Sequence, residues 1–191
     1  MQKQITGPRH SRILVKTVFL FLASYLVFLF LWIQVKDTYG YAITLAASKL
    51  VSGLKNARLE EITQEKDIIQ ATFSPFNGRT NMLVDITVKT SSYSFNAPLT
   101  FAIMMSLSLF ILRRKRAYAE AFLVILFIHF LYVFSLEAKE LTEVFMERKI
   151  EAMSTPRLFV YQFIWGFTDN MVIRFEPFLI GFYMFVRFRK R

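Results

Sequence analysis

Residues 113–136 read RRKRAYAEAFLVILFIHFLYVFSL: four bases in a row, then about one bilayer's width of mainly apolar sequence. A hydrocarbon core about 30 Å thick takes about 20 such residues in a helix, so residues 117–136 read as a transmembrane helix. Short basic flanks without acids stay on the cytoplasmic side of a membrane. The turn at 113–116 is therefore placed in the cytoplasm.

Two more clusters of the same kind bracket the chain. Lys3, Arg9, Arg12 and Lys16 precede an apolar run over residues 17–35, and Arg187, Arg189, Lys190 and Arg191 close the sequence. Together the three clusters hold half of the 24 Lys and Arg and none of the 14 acids. Between them, residues 36–96 and 137–157 are nearly neutral. The expected topology has four spans, at 17–35, 93–112, 117–136 and 167–187. It has cytoplasmic ends at 1–16 and 188–191, a cytoplasmic turn at 113–116, and outer segments at 36–92 and 137–166. The long apolar core after the first cluster, with no cleavage motif close behind it, reads as an uncleaved anchor.

The composition narrows the function class. A net charge of +10 could suggest nucleic acid, but half the bases sit at helix ends beside apolar runs. There they suit anionic lipid headgroups, and no nucleic-acid partner is expected. Cys is absent, which removes a thiolate nucleophile and a thiolate metal site. Two His are too few for an imidazole metal site, and His10 lies in the basic tail. No glycine-rich phosphate loop, HExxH or GxSxG is present. No cofactor and no metal are expected.

Within 36–92 the periodicity changes. Residues 38–54 space apolar side chains at helical intervals, with Tyr41, Leu45 and Leu50 able to share a side. This predicts an amphipathic helix on the outer leaflet that continues the first span. Beyond Asn56, Met82, Val84, Ile86 and Val88 alternate with Leu83, Asp85, Thr87 and Lys89. Ile69, Ala71 and Phe73 alternate with Ile68, Gln70 and Thr72, the period of half-buried strands. Leu59-Glu60-Glu61-Ile62 is a candidate third strand, and Pro75, Asn77 and Gly78 mark a turn. So small a sheet needs the membrane helices or a partner to cover its apolar face. Val84, Ile86 and Val88 are the candidate interface outside the cytoplasm.

The fold class expected is thus mostly α, a polytopic membrane protein with about four transmembrane helices and a small extracytoplasmic β-meander. Its informative polar residues lie in the spans. The last one carries Asp169, Asn170, Arg174 and Glu176, and the third carries His129. A charge in the membrane costs at least about 2.5–3.5 kcal/mol on insertion scales, so it normally faces protein or a counter-charge. Arg174 and His129 each lie 13 residues from a basic flank, about 20 Å of helix, which puts them at similar depth.

Two readings of a layer of His129, Arg174, Glu176 and Asp169 compete. In the first it is a relay or carrier site, with Glu176 and His129 exchanging protons and Arg174 holding an anion. In the second it positions the last helix or binds a partner's helix. Arg174 and Glu176 point about 200° apart on a helix, so each needs its own partner. Pro177 adds a strained turn beside them. Trp32, Tyr39, Tyr93, Tyr161 and Trp165 read as an interfacial aromatic belt.

The order of parts, with Tyr93-Ser94 running to Pro98, then Tyr161-Gln162, then Pro177, resembles the exosortase H-associated membrane proteins. Arg174 and Glu176 match nothing in that pattern. Exosortases are polytopic, transpeptidase-like enzymes that use an intramembrane Cys on proteins bearing a C-terminal sorting signal. A chain without Cys is not that enzyme. The resemblance implies a non-catalytic accessory that could scaffold an exosortase as its membrane partner, present the sorting signal or stabilise the complex. The basic clusters place it in the bacterial inner membrane with both termini cytoplasmic. A small membrane enzyme or carrier built on the polar layer is the alternative.

Overall fold

A computed structural model describes residues 8–76, 82–110, 114–150 and 155–189. Helix dominates, and the remaining regular structure is one three-stranded sheet. Lys3, Lys190 and Arg191 of the terminal basic clusters, Asn77 and Gly78 of the expected turn, and Arg113 lie outside the described residues.

Helix α1 spans Pro8–Leu54 without a break. Proline at the first position costs a helix nothing, and no other proline occurs before Leu54. The helix ends where Asn56 takes a left-handed φ of 48°, a conformation Asn tolerates at a helix end. The expected amphipathic helix at 38–54 is thus the continuation of the first span. Its packed face, however, is not the one read from Tyr41, Leu45 and Leu50. Tyr41 and Leu50 are exposed and Leu45 half-buried, whereas Ile43, Thr44, Ala47, Ser48 and Val51 are buried.

The strands β1 (Ala57–Glu65), β2 (Ile68–Pro75) and β3 (Val84–Lys89) pair antiparallel in the order β1-β2-β3. This is the meander expected from the period of two. A bulge between Leu59 and Glu61 interrupts β1, whereas β2 and β3 pair without irregularity from Ile68↔Lys89 to Phe73↔Val84. Lys66, at φ 52°, supplies the left-handed residue of the β1–β2 turn.

The second span expected at 93–112 is not one helix. Residues Thr90–Ser94 form α2 and Ala97–Leu107 form α3. Pro98 explains the division: its ring is tolerated in a first turn but would break a helix running through it. The 11 residues of α3 rise only about 16 Å, roughly half a bilayer core. Downstream, α4 spans Arg114–Glu147, so the expected third span and the start of the outer segment are one helix. Lys149 (φ 55°) closes it, with Ile150 N–H donating to Phe145 O at 2.9 Å, a Schellman-type cap.

The chain stays helical from Thr155 to Phe188, through α5 (Thr155–Phe167), a π-helical segment (Thr168–Ile173) and α6 (Arg174–Phe188). Among the described residues, two helices are long and apolar enough to cross a membrane, Arg12–Leu54 and Lys115–Glu147. The four spans read from the sequence thus reduce to two that meet this test. The segment at 167–187 carries Asp169, Arg174, Glu176 and Arg187, which lowers its apolar character.

Two compact units share the chain. The smaller comprises residues 1–34, 96–123 and 176–191, and the larger 35–95 and 124–175. In the smaller unit α6 buries Pro177, Ile180, Gly181 and Met184. A Cβ at Gly181 would stand 2.8 Å from Ile103 of α3, so this approach needs glycine. At its basic end, Glu120 accepts from Arg116 Nε at 2.8 Å and from Tyr183 Oη at 3.0 Å, and pairs with Arg187.

In the larger unit, β2 and β3 turn Ala71, Phe73, Val84 and Ile86 onto Val51 of α1 and Ala138, Leu141 and Phe145 of α4. Val84, Ile86 and Val88 are 6%, 1% and 0% exposed. The sequence reading offered these three as a partner interface. The structure corrects it, because the chain's own helices cover that face.

Candidate functional site

His129 is fully buried on the face of α4 that also buries Ile125, Tyr132, Val133 and Leu136, a 3.6-residue stripe. It belongs to the larger unit. Its Nδ1 lies 2.7 Å from Tyr39 Oη, with the rings edge to face at 5.7 Å. Tyr93 meets the imidazole from α2 at 5.3 Å, also edge-on, and its ring lies 5.4 Å from that of Tyr132. Edge-to-face aromatic pairs add about 0.5–1.5 kcal/mol beyond area burial. Three tyrosines from α1, α2 and α4 thus gather around one histidine.

Short-range chemistry places Tyr93. Thr90 N–H donates to Asp67 O at 2.9 Å. The Asp67 carboxylate accepts from Ser91 N–H at 3.0 Å and Ser91 Oγ at 2.5 Å, and it pairs with Lys36 at 3.4 Å. The β1–β2 turn therefore holds the start of α2, with a carboxylate where the helix dipole favours one. Burial alone would raise the Asp67 carboxyl. The Ser91 bonds and the Lys36 ammonium outweigh it and hold the group below the ordinary carboxylate value. On α1, Gly40 lets Thr90 pack against bare backbone, because a Cβ there would collide with the Thr90 side chain.

A second polar seam follows more than two helical turns on. Ser48 Oγ donates to Glu137 Oε1 at 2.7 Å, and both residues are buried. The other carboxylate oxygen of Glu137 has no hydrogen-bond partner among the described residues. Lys55, also buried, donates to Thr142 Oγ1 at 2.5 Å and lies 3.9 Å from the centre of the Tyr161 ring. Lys139 stands similarly over Trp165, at 4.4 Å. Both are cation–π distances, and they give Tyr161 and Trp165 work beyond an interfacial belt.

Glu176 lies in the smaller unit, fully buried, and accepts from Thr100 Oγ1 at 3.2 Å. Arg174 is exposed, so the two charges do point to different sides of the helix. Asp169 is half-buried within the π segment. His129 and Glu176 therefore have different named partners, a phenol and a threonine hydroxyl. The sequence picked out both residues as buried polar groups but missed their partners. Tyr39 and Tyr93 passed as belt residues, and Glu137 was not singled out. A usable signal was present: Lys36, Gly40, Thr44, Ser48 and Lys55 recur at near-helical spacing on α1, a polar and small stripe in an apolar helix.

Among the described residues no group of three or more His, Cys, Asp or Glu could hold a metal ion. The arrangement is one of interlocking helices through hydroxyl, phenol and imidazole bonds, with buried carboxylates each held by a hydroxyl. No curated protein and no solved structure matches the chain. The profile of one protein family does match, over residues 11–188, and that family is described as the exosortase H-associated membrane protein. A match over nearly the whole length, on a chain with two apolar helices long enough to cross a membrane, shows that it belongs to the exosortase H-associated membrane protein family.

Proposed function

We propose that the chain is a non-catalytic accessory protein of an exosortase-type sorting system, held in the bacterial inner membrane as a scaffold for its exosortase. The family match carries this reading. The chemistry of the buried polar groups supports it. His129 is engaged by Tyr39, Glu137 by Ser48 and Glu176 by Thr100, so each fastens one helix to another. The acid-free basic clusters favour four crossings with both termini cytoplasmic, the stretch from α2 through α3 to the basic turn serving as the second and the helix through α6 as the fourth. Under that topology the sheet lies outside the cytoplasm.

Co-expression of tagged chain with exosortase H, followed by purification in mild detergent, tests the association. The two should co-elute at a fixed ratio. Isolation of the chain alone, with exosortase H present in the same membranes, contradicts the reading. Reporter fusions test the topology, with cytoplasmic activity expected after Arg116 and Arg191 and outer activity after Glu147.

Complete burial of His129 and Glu176 favours one rival reading, a carrier or enzyme using these groups with Arg174. It predicts that Glu176→Gln and Arg174→Met abolish a cellular activity while the protein stays at normal level in the membrane.

A further inference from the structure

The sheet has two outer edges, and they differ in kind. On β1 the bulge at Glu60 breaks the ladder, and Glu60, Glu61 and Glu65 line the strand. Both edges carry charged side chains, and the bulge, which natural sheets use to blunt an edge against pairing, is what sets β1 apart. On β3 the ladder is unbroken over six residues, and no bulge or proline interrupts it.

The phase of the ladder says which groups β3 turns outward. Thr90 N–H donates to Asp67 O, and in an antiparallel pair the bonded residues alternate. Val84, Ile86 and Val88 therefore point their backbone groups at β2. The other neighbour agrees: Phe76 N–H donates to Asn56 O, so the even residues of β2 face β1 and the odd ones face β3. It follows that Asp85 and Thr87 turn both N–H and C=O away from the sheet and Lys89 its N–H, while the Lys89 carbonyl is taken by the first turn of α2. All three residues are exposed, and these outward groups have no backbone partner from another element among the described residues.

Such a row repeats donors and acceptors about every 6.8 Å, and an extended strand matches that spacing where a helix does not. We infer that the outer edge of β3, through the backbone of Asp85, Thr87 and Lys89, takes an extended segment of the associated exosortase as a fourth strand. The inference rests on the accessory reading above. The added strand would alternate in chemistry. Side chains on the inner side continue the layer of Val84, Ile86 and Val88 and are apolar, while those on the outer side sit beside Asp85, Thr87 and Lys89 and are polar. Main-chain bonds provide the affinity in this mode, and the alternating side chains provide the selectivity.

Amide hydrogen exchange on the full chain, alone and in its co-purified complex with exosortase H, tests this. The amides of Asp85, Thr87 and Lys89 should exchange freely in the chain alone and slow by about tenfold or more in the complex. The amides of Ile86 and Val88 are protected in both. Thr87→Pro removes one outward N–H and no β2–β3 bond, a place where an edge strand tolerates proline. It should leave exchange at Ile86 and Val88 unchanged and weaken the complex at least tenfold. A complex that forms with those three amides still exchanging freely, or that Thr87→Pro does not weaken, overturns the inference and leaves the accessory reading standing. Absence of any complex removes both. Protection that grows with concentration of the chain alone would make the edge a self-association site. Protection that needs an added sorting-signal protein would assign the strand to that substrate. Either result overturns the assignment to the exosortase.

Discussion

The two compact units are built by different means. The larger one has a conventional core, with a sheet face of Ala71, Phe73, Val84 and Ile86 set on Val51, Leu141 and Phe145. The smaller one joins α6 to α3 through a glycine contact at Gly181–Ile103 and a hydroxyl–carboxylate bond, Thr100–Glu176. Under the proposed topology the sheet would meet water and α3 and α6 would meet lipid, which gives the difference a cause. The helices of the larger unit also share the Tyr39–His129 and Ser48–Glu137 bonds. Water drives apolar faces together at about 25 cal/mol per Å². Lipid does not, so helices there associate through close packing and interhelical hydrogen bonds.

The comparison breaks most visibly at Ile86. An Asp there, 1% exposed in the native sheet, would cost several kcal/mol if left without a counter-charge. Ile86→Asp should unfold the larger unit while the apolar spans still insert. Protease sensitivity between residues 57 and 90 in membrane-inserted protein reads this out. If the variant is as resistant as wild type, the sheet face is not buried on α1 and α4.

Next in size is Gly181→Val. Added atoms meet Ile103, so the smaller unit loses about 1–3 kcal/mol by overpacking, while the larger one keeps its core. A lower melting temperature in detergent, with unchanged exchange at Val84, Ile86 and Val88, is expected. Equal loosening of the sheet would show that the units are not separable. Tyr39→Phe should cost about 1 kcal/mol, the net worth of one hydrogen bond, by leaving His129 Nδ1 without its phenol. Its effect belongs to the larger unit alone.

The smallest effect is that of pH at the β1–β2 turn. Asp67 has a folded pKa below its ordinary value, so its stabilising contribution is complete above the ordinary carboxylate range. That contribution fades as pH falls through the lower, folded value. Exchange at Thr90 and Ser91 should accelerate on acidification, and Asp67→Asn should remove that dependence. Acceleration that persists in the variant would place the titrating group elsewhere.

The same contrast explains what could be read in the sequence. The strands were legible because alternation of Ile86 and Val88 with Thr87 and Lys89 has a period that no helix mimics. The helix boundaries were less so: Pro98 starts α3 and divides an apolar stretch that hydropathy alone joins. His129 and Glu176 stood out as polar residues in apolar helices, but their partners, Tyr39 and Thr100, are ordinary membrane-helix residues. Only packing reveals which of many tyrosines and threonines meets a buried group. The partner face failed for a related reason. The pattern showed that Val84, Ile86 and Val88 needed a cover and could not show that Val51 and Leu141 already provide it.

Rescue of sorting in a cell lacking this chain tests the non-catalytic role most directly. Processing of a sorting-signal reporter by exosortase H is followed after supplying wild type, His129→Gln or Glu176→Gln, each quantified in the membrane. A non-catalytic accessory restores processing in proportion to the folded protein present, so variants at wild-type level should restore it fully. A variant at wild-type level that leaves processing abolished would make the buried histidine or carboxylate a reacting group and contradict the accessory role.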